Sequence, residues 1–196
     1  LEKENILLGT NTIINTYKLN YVGFRGYLTI QGTKIEDEKL MLDWLIKRKE
    51  VSVLGRTKNS EEIILMSWVQ SANIFHNFIK SFKEKFGKFI KEFFIHQYIG
   101  TYFYPRNYLS QNKFGKEIQM KLSEPEKYDQ LDIAILEKLS QNARKSSLEI
   151  STELKKPVKT IINRIKNLEN KKIIIGYSAN ININKIGYEY FKLNII

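Results

Sequence analysis

Slid against itself by 167 positions, the 196-residue chain repeats: its first twenty-nine residues lie over its last twenty-nine without a gap. Nine positions are identical, namely Leu1/Leu168, Glu2/Glu169, Ile6/Ile173, Gly9/Gly176, Ile14/Ile181, Asn15/Asn182, Lys18/Lys185, Tyr21/Tyr188 and Phe24/Phe191. So Ile-, Lys- and Asn-rich a composition would give only about two or three by chance. The pairs Leu7/Ile174, Leu19/Ile186 and Arg25/Lys192 are conservative. The expectation is an excerpt from a tandem protein, entered just after one unit and left just inside another. Residues 1–16 are then read as the end of a preceding unit and residues 183–196 as the opening strand of the next.

With 42% apolar residues there is material for two small domains. The absence of cysteine removes disulfides, thiolate metal sites and cysteine nucleophiles, and fits a reducing interior. No window approaches the ~20 apolar residues of a membrane span, so the reading is a soluble, cytoplasmic protein. Thirty-two Lys and Arg against 21 Asp and Glu give a net charge of +11, which favours a polyanionic partner.

Residues 17–111 read as a β-α-β-β-α-β domain. The stretch from Tyr21 to Ile30 is aromatic and β-branched and ends near Gly32. Helical spacing follows from Ile35 to Lys49, with Leu40, Trp44 and Ile46 near one face and Glu36, Asp37 and Glu38 at the positive end of the dipole. Val51 to Gly55 and Ile63 to Val69 make a hairpin, and Phe75, Phe78, Ile79, Phe82, Phe86 and Phe89 form a core stripe on a second helix. Glu92 to Tyr104 is the last strand. This is the ferredoxin-like split βαβ order, an α+β fold with both helices on one face of an antiparallel sheet. Phe24, Tyr27, Phe94, Tyr98 and Tyr102 are divided between its two faces, and such aromatic content on the open face calls for a partner.

Residues 112–127 read as a polar linker, and residues 128–182 as three helices and a β-prone run. The first helix covers Leu131 to Gln141; Ser147 is the expected cap of a short second one, which carries Leu148, Ile150, Ser151 and Leu154. Pro157 fits the first turn of a third, on which Val158, Ile161, Ile165 and Leu168 share an apolar arc. Ile173 to Ile175 then forms a wing. This order is that of a winged helix-turn-helix, whose third helix enters the major groove. Between Lys155 and Lys172 seven cations stand against Glu169 alone, a local net of +6. Lys159, Thr160 and Asn163 are placed to face base edges. Lys156, Arg164, Lys166 and Asn167, with Arg144 and Lys145 ahead of the second helix, are placed to hold phosphates.

The stretch from Leu131 to Tyr188 resembles the DNA-binding half of the Lrp/AsnC transcription regulators. The resemblance rests on the R-I-x-x-L-E ending (Arg164, Ile165, Leu168, Glu169), the I-x-G-Y wing (Ile174 to Tyr177) and the closing I-G-Y (Ile186 to Tyr188). It implies a regulator in which the winged helix alternates with a β-α-β-β-α-β (RAM-like) effector and oligomerisation domain, paired through its sheets as a homodimer or as an intrachain pseudo-dimer. The chain departs from the family at Lys155 and Pro157, where a glycine and a capping serine are usual. It departs again after Gly55, where Arg56, Thr57 and Lys58 replace the common Asp. Gly55, Arg56, Thr57 and Asn59 are the candidate contacts for a small anionic or amino-acid effector. His76 and His96 are the only residues with an ordinary pKa near neutrality. They keep open a tetrapyrrole decarboxylase of the sirohaem type, a class that resembles this family in fold. A third reading is a protein-interaction module whose winged helix no longer binds DNA. No catalytic group, cofactor or metal is assigned.

Overall fold

The fold is that of a computed structural model in which residues 1–56, 62–109 and 115–189 are described. In chain order the elements begin with strand β1 (Leu7–Ile14), strand β2 (Val22–Ile30), helix α1 (Ile35–Ile46) and the strands β3 (Val51–Arg56) and β4 (Glu62–Val69). Helix α2 (Ala72–Phe86) and the strands β5 (Ile90–Gln97), β6 (Gly100–Phe103) and β7 (Ile118–Lys121) come next. Helices α3 (Gln130–Gln141), α4 (Ser147–Leu154) and α5 (Val158–Asn170) precede strand β8 (Ile174–Ile181). They sort into two units, one spanning Thr16–Pro125 and the other joining Leu1–Asn15 to Glu126–Ile196.

The Thr16–Pro125 unit has the split βαβ fold expected from the sequence. Its sheet runs β3-β4-β2-β5, antiparallel throughout. Period-two alternation places Phe24, Leu28 and Ile30 of β2 and Ile63, Leu65 and Val69 of β4 against the helices. Helix α2 buries Phe75, Phe78, Ile79, Phe82 and Phe86, so the aromatic stripe is core. Phe24 stacks on Phe75 at 4.2 Å and thus faces inward, while Tyr27, Phe94 and His96 occupy the other side of the sheet. Gly26 lies under the Phe93 ring, where an added Cβ would come within 2.5 Å of it.

The expected stripe of α1 is displaced. Met41 and Leu45 are buried, Trp44 packs on Phe78 and Phe82, and Leu40 and Ile46 face solvent. An i, i+4 pair centred on Met41 and Leu45 fits the groove beside α2 better than the arc read from Leu40 and Ile46. The helix also stops at Ile46, a turn before Lys49. The last predicted strand is two: β5 joins the sheet, whereas β6 turns away to pair with β7. That second hairpin takes its return strand from the stretch read as linker, where the buried side chain of Met120 anchors it.

The other unit is a winged helix. Ile135, Leu136 and Leu139 of α3, Ile150 of α4, and Ile161 and Leu168 of α5 converge on Ile173 and Ile174, all buried. Two boundaries differ from expectation. Ser146, not Ser147, caps α4: its Oγ accepts from the Glu149 N–H at 3.2 Å while Glu149 accepts from the Ser146 N–H at 2.7 Å, a reciprocal box that Ser147 has no acid to complete. Pro157 is the residue before α5 and not its first turn, with an extended backbone and no side-chain cap.

The wing is longer than the three residues predicted, because it has a partner. β8 pairs antiparallel with β1, the segment that the 167-residue repeat aligns with it. The register is centred on one repeat position, with Asn11 opposite Ser178; outward from it Thr10 meets Ala179 and Thr12 meets Tyr177, each the repeat counterpart of the other strand's partner. Both strands bulge at equivalent places, around Leu8 in β1 and Ile175 in β8, each just before a glycine, Gly9 and Gly176. Gly9 has φ +149°, a backbone that other residues rarely adopt. The two repeat copies are therefore related by a local two-fold axis through the Asn11·Ser178 pair. β1 is tied to α3 as well, with Thr12 Oγ1 donating to the Leu139 carbonyl at 2.8 Å and the Ala143 N–H donating to the Thr10 carbonyl at 3.1 Å.

Candidate nucleic-acid interface

The turn between α4 and α5 sets where the third helix points. Lys155 occupies the left-handed region at φ 51°, so the position usually held by glycine keeps its conformation although the residue has changed. The turn is closed by the Lys156 N–H donating to the Ser151 carbonyl at 3.1 Å and by Ser151 Oγ donating to the Lys156 carbonyl at 2.6 Å. The departure from glycine at this position is thus not a change of geometry. What changes is the strain of holding a side chain there.

From that turn α5 runs with Ile161 and Leu168 fully buried and Lys159, Asn163 and Lys166 exposed. Thr160 and Asn167 are half-buried on one flank of this strip, and Lys156 is exposed at its start. Among the described residues, no acid pairs with Lys156, Lys159 or Lys166. The strip offers ammonium groups and an amide on a helix of three and a half turns, with no carboxylate to neutralise them.

Three cations placed in the same interface by their sequence positions are engaged elsewhere. Arg164 lies on the side of α5 that faces α3, where its Nη1 sits 2.7 Å from Asp129 Oδ2 and 3.3 Å from Asp132 Oδ2. Both acids serve a second purpose. Asp129 accepts from the Leu131 and Asp132 N–H groups at 3.0 Å, and Asp132 accepts from the Asp129 N–H at 3.1 Å. The backbone N–H of Asp132, followed by Arg164, holds the Asp129 carboxyl below the usual range; Asp129 and then Asp132 raise Arg164. Arg164 therefore welds α5 to the N-terminus of α3. Lys145 pairs with Glu153, which also takes Lys138 at 2.9 Å, and these two ammonium groups hold the Glu153 carboxyl below its ordinary value. Arg144 is exposed with Glu2 at 3.7 Å, a loose contact. The wing is fastened to the helix from the other side: Tyr177 OH donates to Glu169 Oε1 at 2.6 Å, and burial together with that carboxylate pushes the phenol above its ordinary pKa.

Of the candidate effector residues, the two that fall in β3 point to opposite sides of the sheet. Gly55 lies on the side of the sheet away from the helices, beside Ile64, with open space where a Cβ would stand. Arg56 points the other way, into an ion pair with Glu38 of α1. Thr57 and Asn59 lie outside the described residues, as do the last seven residues of the strand expected after Tyr188. The two histidines are exposed, and the His96 ring stands edge-on to that of Tyr27 with centroids 5.7 Å apart. Among the described residues there is no cluster of three metal-ligating side chains, and no helix is long and apolar enough to cross a membrane.

Residues 128–175 match a family model described as winged helix-turn-helix DNA-binding. The HTH-type transcriptional regulator Ptr1 of Methanocaldococcus jannaschii is 46% identical over 61 residues, which are 31% of this chain and 41% of that protein. The chain thus spans about two fifths of the length of the curated relatives it matches. Two solved structures are similar at low identity, each over 50% of this chain and 63% of the other. They are a transcriptional regulator of Neisseria meningitidis in complex with L-Met (13% identity, TM-score 0.42) and an AsnC family transcriptional regulator of Agrobacterium tumefaciens (15%, TM-score 0.41).

Proposed function

We propose that the chain is a sequence-reading transcription regulator of Lrp/AsnC type that places α5 in the major groove of duplex DNA. The observation that carries this is the acid-free exposed strip of α5, standing on a winged-helix core whose relatives are named transcriptional regulators. A helix that bound only protein would have no need to keep three lysines unneutralised along one line. In this reading Lys159, Thr160 and Asn163 approach base edges, while Lys156, Lys166 and Asn167 hold phosphates. Arg144 is a peripheral phosphate contact, and Arg164 and Lys145 keep the helices in place from within.

The two-fold ladder of β1 and β8 supports a further part of the reading, that winged helices of this protein act in pairs. A second winged helix related by the axis through Asn11 and Ser178 would present its own third helix to an inverted half-site, so the operator is expected to be an imperfect inverted repeat. The open face of the β3-β4-β2-β5 sheet, where Phe94 is 58% exposed beside Tyr27, His96 and Arg25, suits pairing of effector domains, between chains or within one. A small-molecule effector remains part of the proposal through Gly55 and the loop after it, not through Arg56. The chain is proposed to work as a regulator rather than as an enzyme, in the cytoplasm and with no cofactor.

The test is binding to its own upstream region and to random duplex, titrated with salt. Preference for the upstream fragment with a steep linear fall of log affinity against log salt supports the reading; equal weak binding to both removes it.

A further inference from the structure

The exposed arc of α5 is not wholly polar. Ile162 lies midway along the helix, next to Asn163 and within one turn of both Lys159 and Lys166, and is 38% exposed. It stands apart from the fully buried residues of the helix: Ile161 and Leu168 are at 0%. The helix does not favour it, since a β-branched side chain loses rotamer freedom there and Lys, Glu or Gln would serve a merely solvated position better. Its setting is a line of unneutralised ammonium groups and one amide, a surface otherwise suited to a polyanion.

Resting on the DNA-binding reading above, we propose that Ile162 is a specificity residue that packs on the C5-methyl group of a thymine. In the major groove thymine alone presents an apolar group, so a branched aliphatic side chain at groove depth discriminates it from every other base without a hydrogen bond. The neighbouring Asn163 has the geometry for an adenine edge. Because the two residues are adjacent on the helix but point about 100° apart, they reach neighbouring bases, and the half-site is expected to carry an adenine close to the contacted thymine. Lys166 supplies no such discrimination; it helps to fix the depth and register at which Ile162 meets the base.

The experiment starts from sites enriched by the full chain from a random duplex pool. Each thymine of the enriched site is replaced singly by deoxyuridine, which removes the methyl and leaves the pairing edge unchanged. One thymine per half-site is expected to cost about threefold to fivefold in affinity when replaced, the scale of one buried methyl group. Ile162→Ala should bind the thymine-containing site more weakly by a similar factor and show no further loss with deoxyuridine at that position, and Ile162→Val should fall between. Specific binding that is indifferent to every deoxyuridine, or a full deoxyuridine penalty that persists in Ile162→Ala, overturns the assignment while leaving the DNA reading intact. Failure to enrich any sequence overturns both. The scan on the unmodified protein is informative by itself, so the outcome does not hang on the folding of a variant.

Discussion

The two long sides of α5 carry the same kind of charge and use it in opposite ways. On the side facing α3, Arg164 meets two carboxylates, one of them 3% exposed, and the pair ties helix to helix. On the outward side Lys159 and Lys166 meet none among the described residues. Net charge does not distinguish a cation that holds a fold together from one that is available to a partner; the position of the nearest acid does. Of the seven cations between Lys155 and Lys172, Arg164 belongs to the architecture, and the balance of the strip belongs to the lysines.

The contrast is open to breakage from both sides. The largest effect is expected at Asp132, which is buried, accepts from the Asp129 N–H and faces Arg164. Asp132→Ala should cost about 2–3 kcal/mol of unfolding free energy in urea, at the lower end of a broken buried pair because Arg164 is partly exposed and keeps Asp129. A loss under about 0.5 kcal/mol would mean that this side of α5 is not an anchor. Next, Asn163→Ala should leave the urea midpoint within about 0.5 kcal/mol while narrowing the gap between specific and random duplex by about tenfold, the scale of one bidentate base contact. Lys166→Ala is expected to weaken binding to all duplexes by a few-fold and to reduce the slope of log affinity against log salt by about 0.9. Equal effects of these two variants on specific and random DNA would erase the division between reading and holding.

Acid should separate the two sides as well. Asp129 and Glu153 have folded carboxyls below their ordinary values of 3.8 and 4.5. Their contribution is complete above those values and drains away as pH falls through the lower folded ones. Between pH ~7 and pH ~3 the urea midpoint should therefore drop. The drop should shrink in Glu153→Gln and stay unchanged in Lys166→Ala, whose side chain forms no ion pair among the described residues.

Lys155→Gly offers the smallest shift and the opposite sign. Freeing the residue at φ 51° from its Cβ should stabilise the winged helix by about 0.5–1 kcal/mol, read as a raised urea midpoint.

Much of this was legible in the chain because periodicities speak directly of faces. The stripe of α2 and the arc of Val158, Ile161, Ile165 and Leu168 needed no tertiary knowledge, and neither did the alternation in β2 and β4. What escaped was whatever depends on a partner distant in sequence. Arg164 read as a phosphate contact because its acids lie more than thirty positions away. Arg56 read as a ligand contact because Glu38 belongs to another element. The strand β7 is four residues in a polar stretch, with only Met120 to mark an inner face. The length of the wing is not legible in the repeat, which aligns β1 with β8 in the same direction, whereas the two strands pair antiparallel and the two registers coincide only at Asn11 and Ser178. Ile161 and Ile162 are alike by hydropathy, and it is burial that separates them, at 0% and 38% exposed.

The matched bulges at Leu8 and Ile175 carry a consequence for how such a sequence can change. The two stand at opposite ends of the ladder, so each shifts only the pairs beyond it and leaves those from Gly9·Asn180 to Ile13·Gly176 in one register. Gaining or losing a residue outside that stretch would exchange inner for outer positions at one end alone, whereas the same change beside Asn11 or Ser178 would throw half of the ladder out of phase.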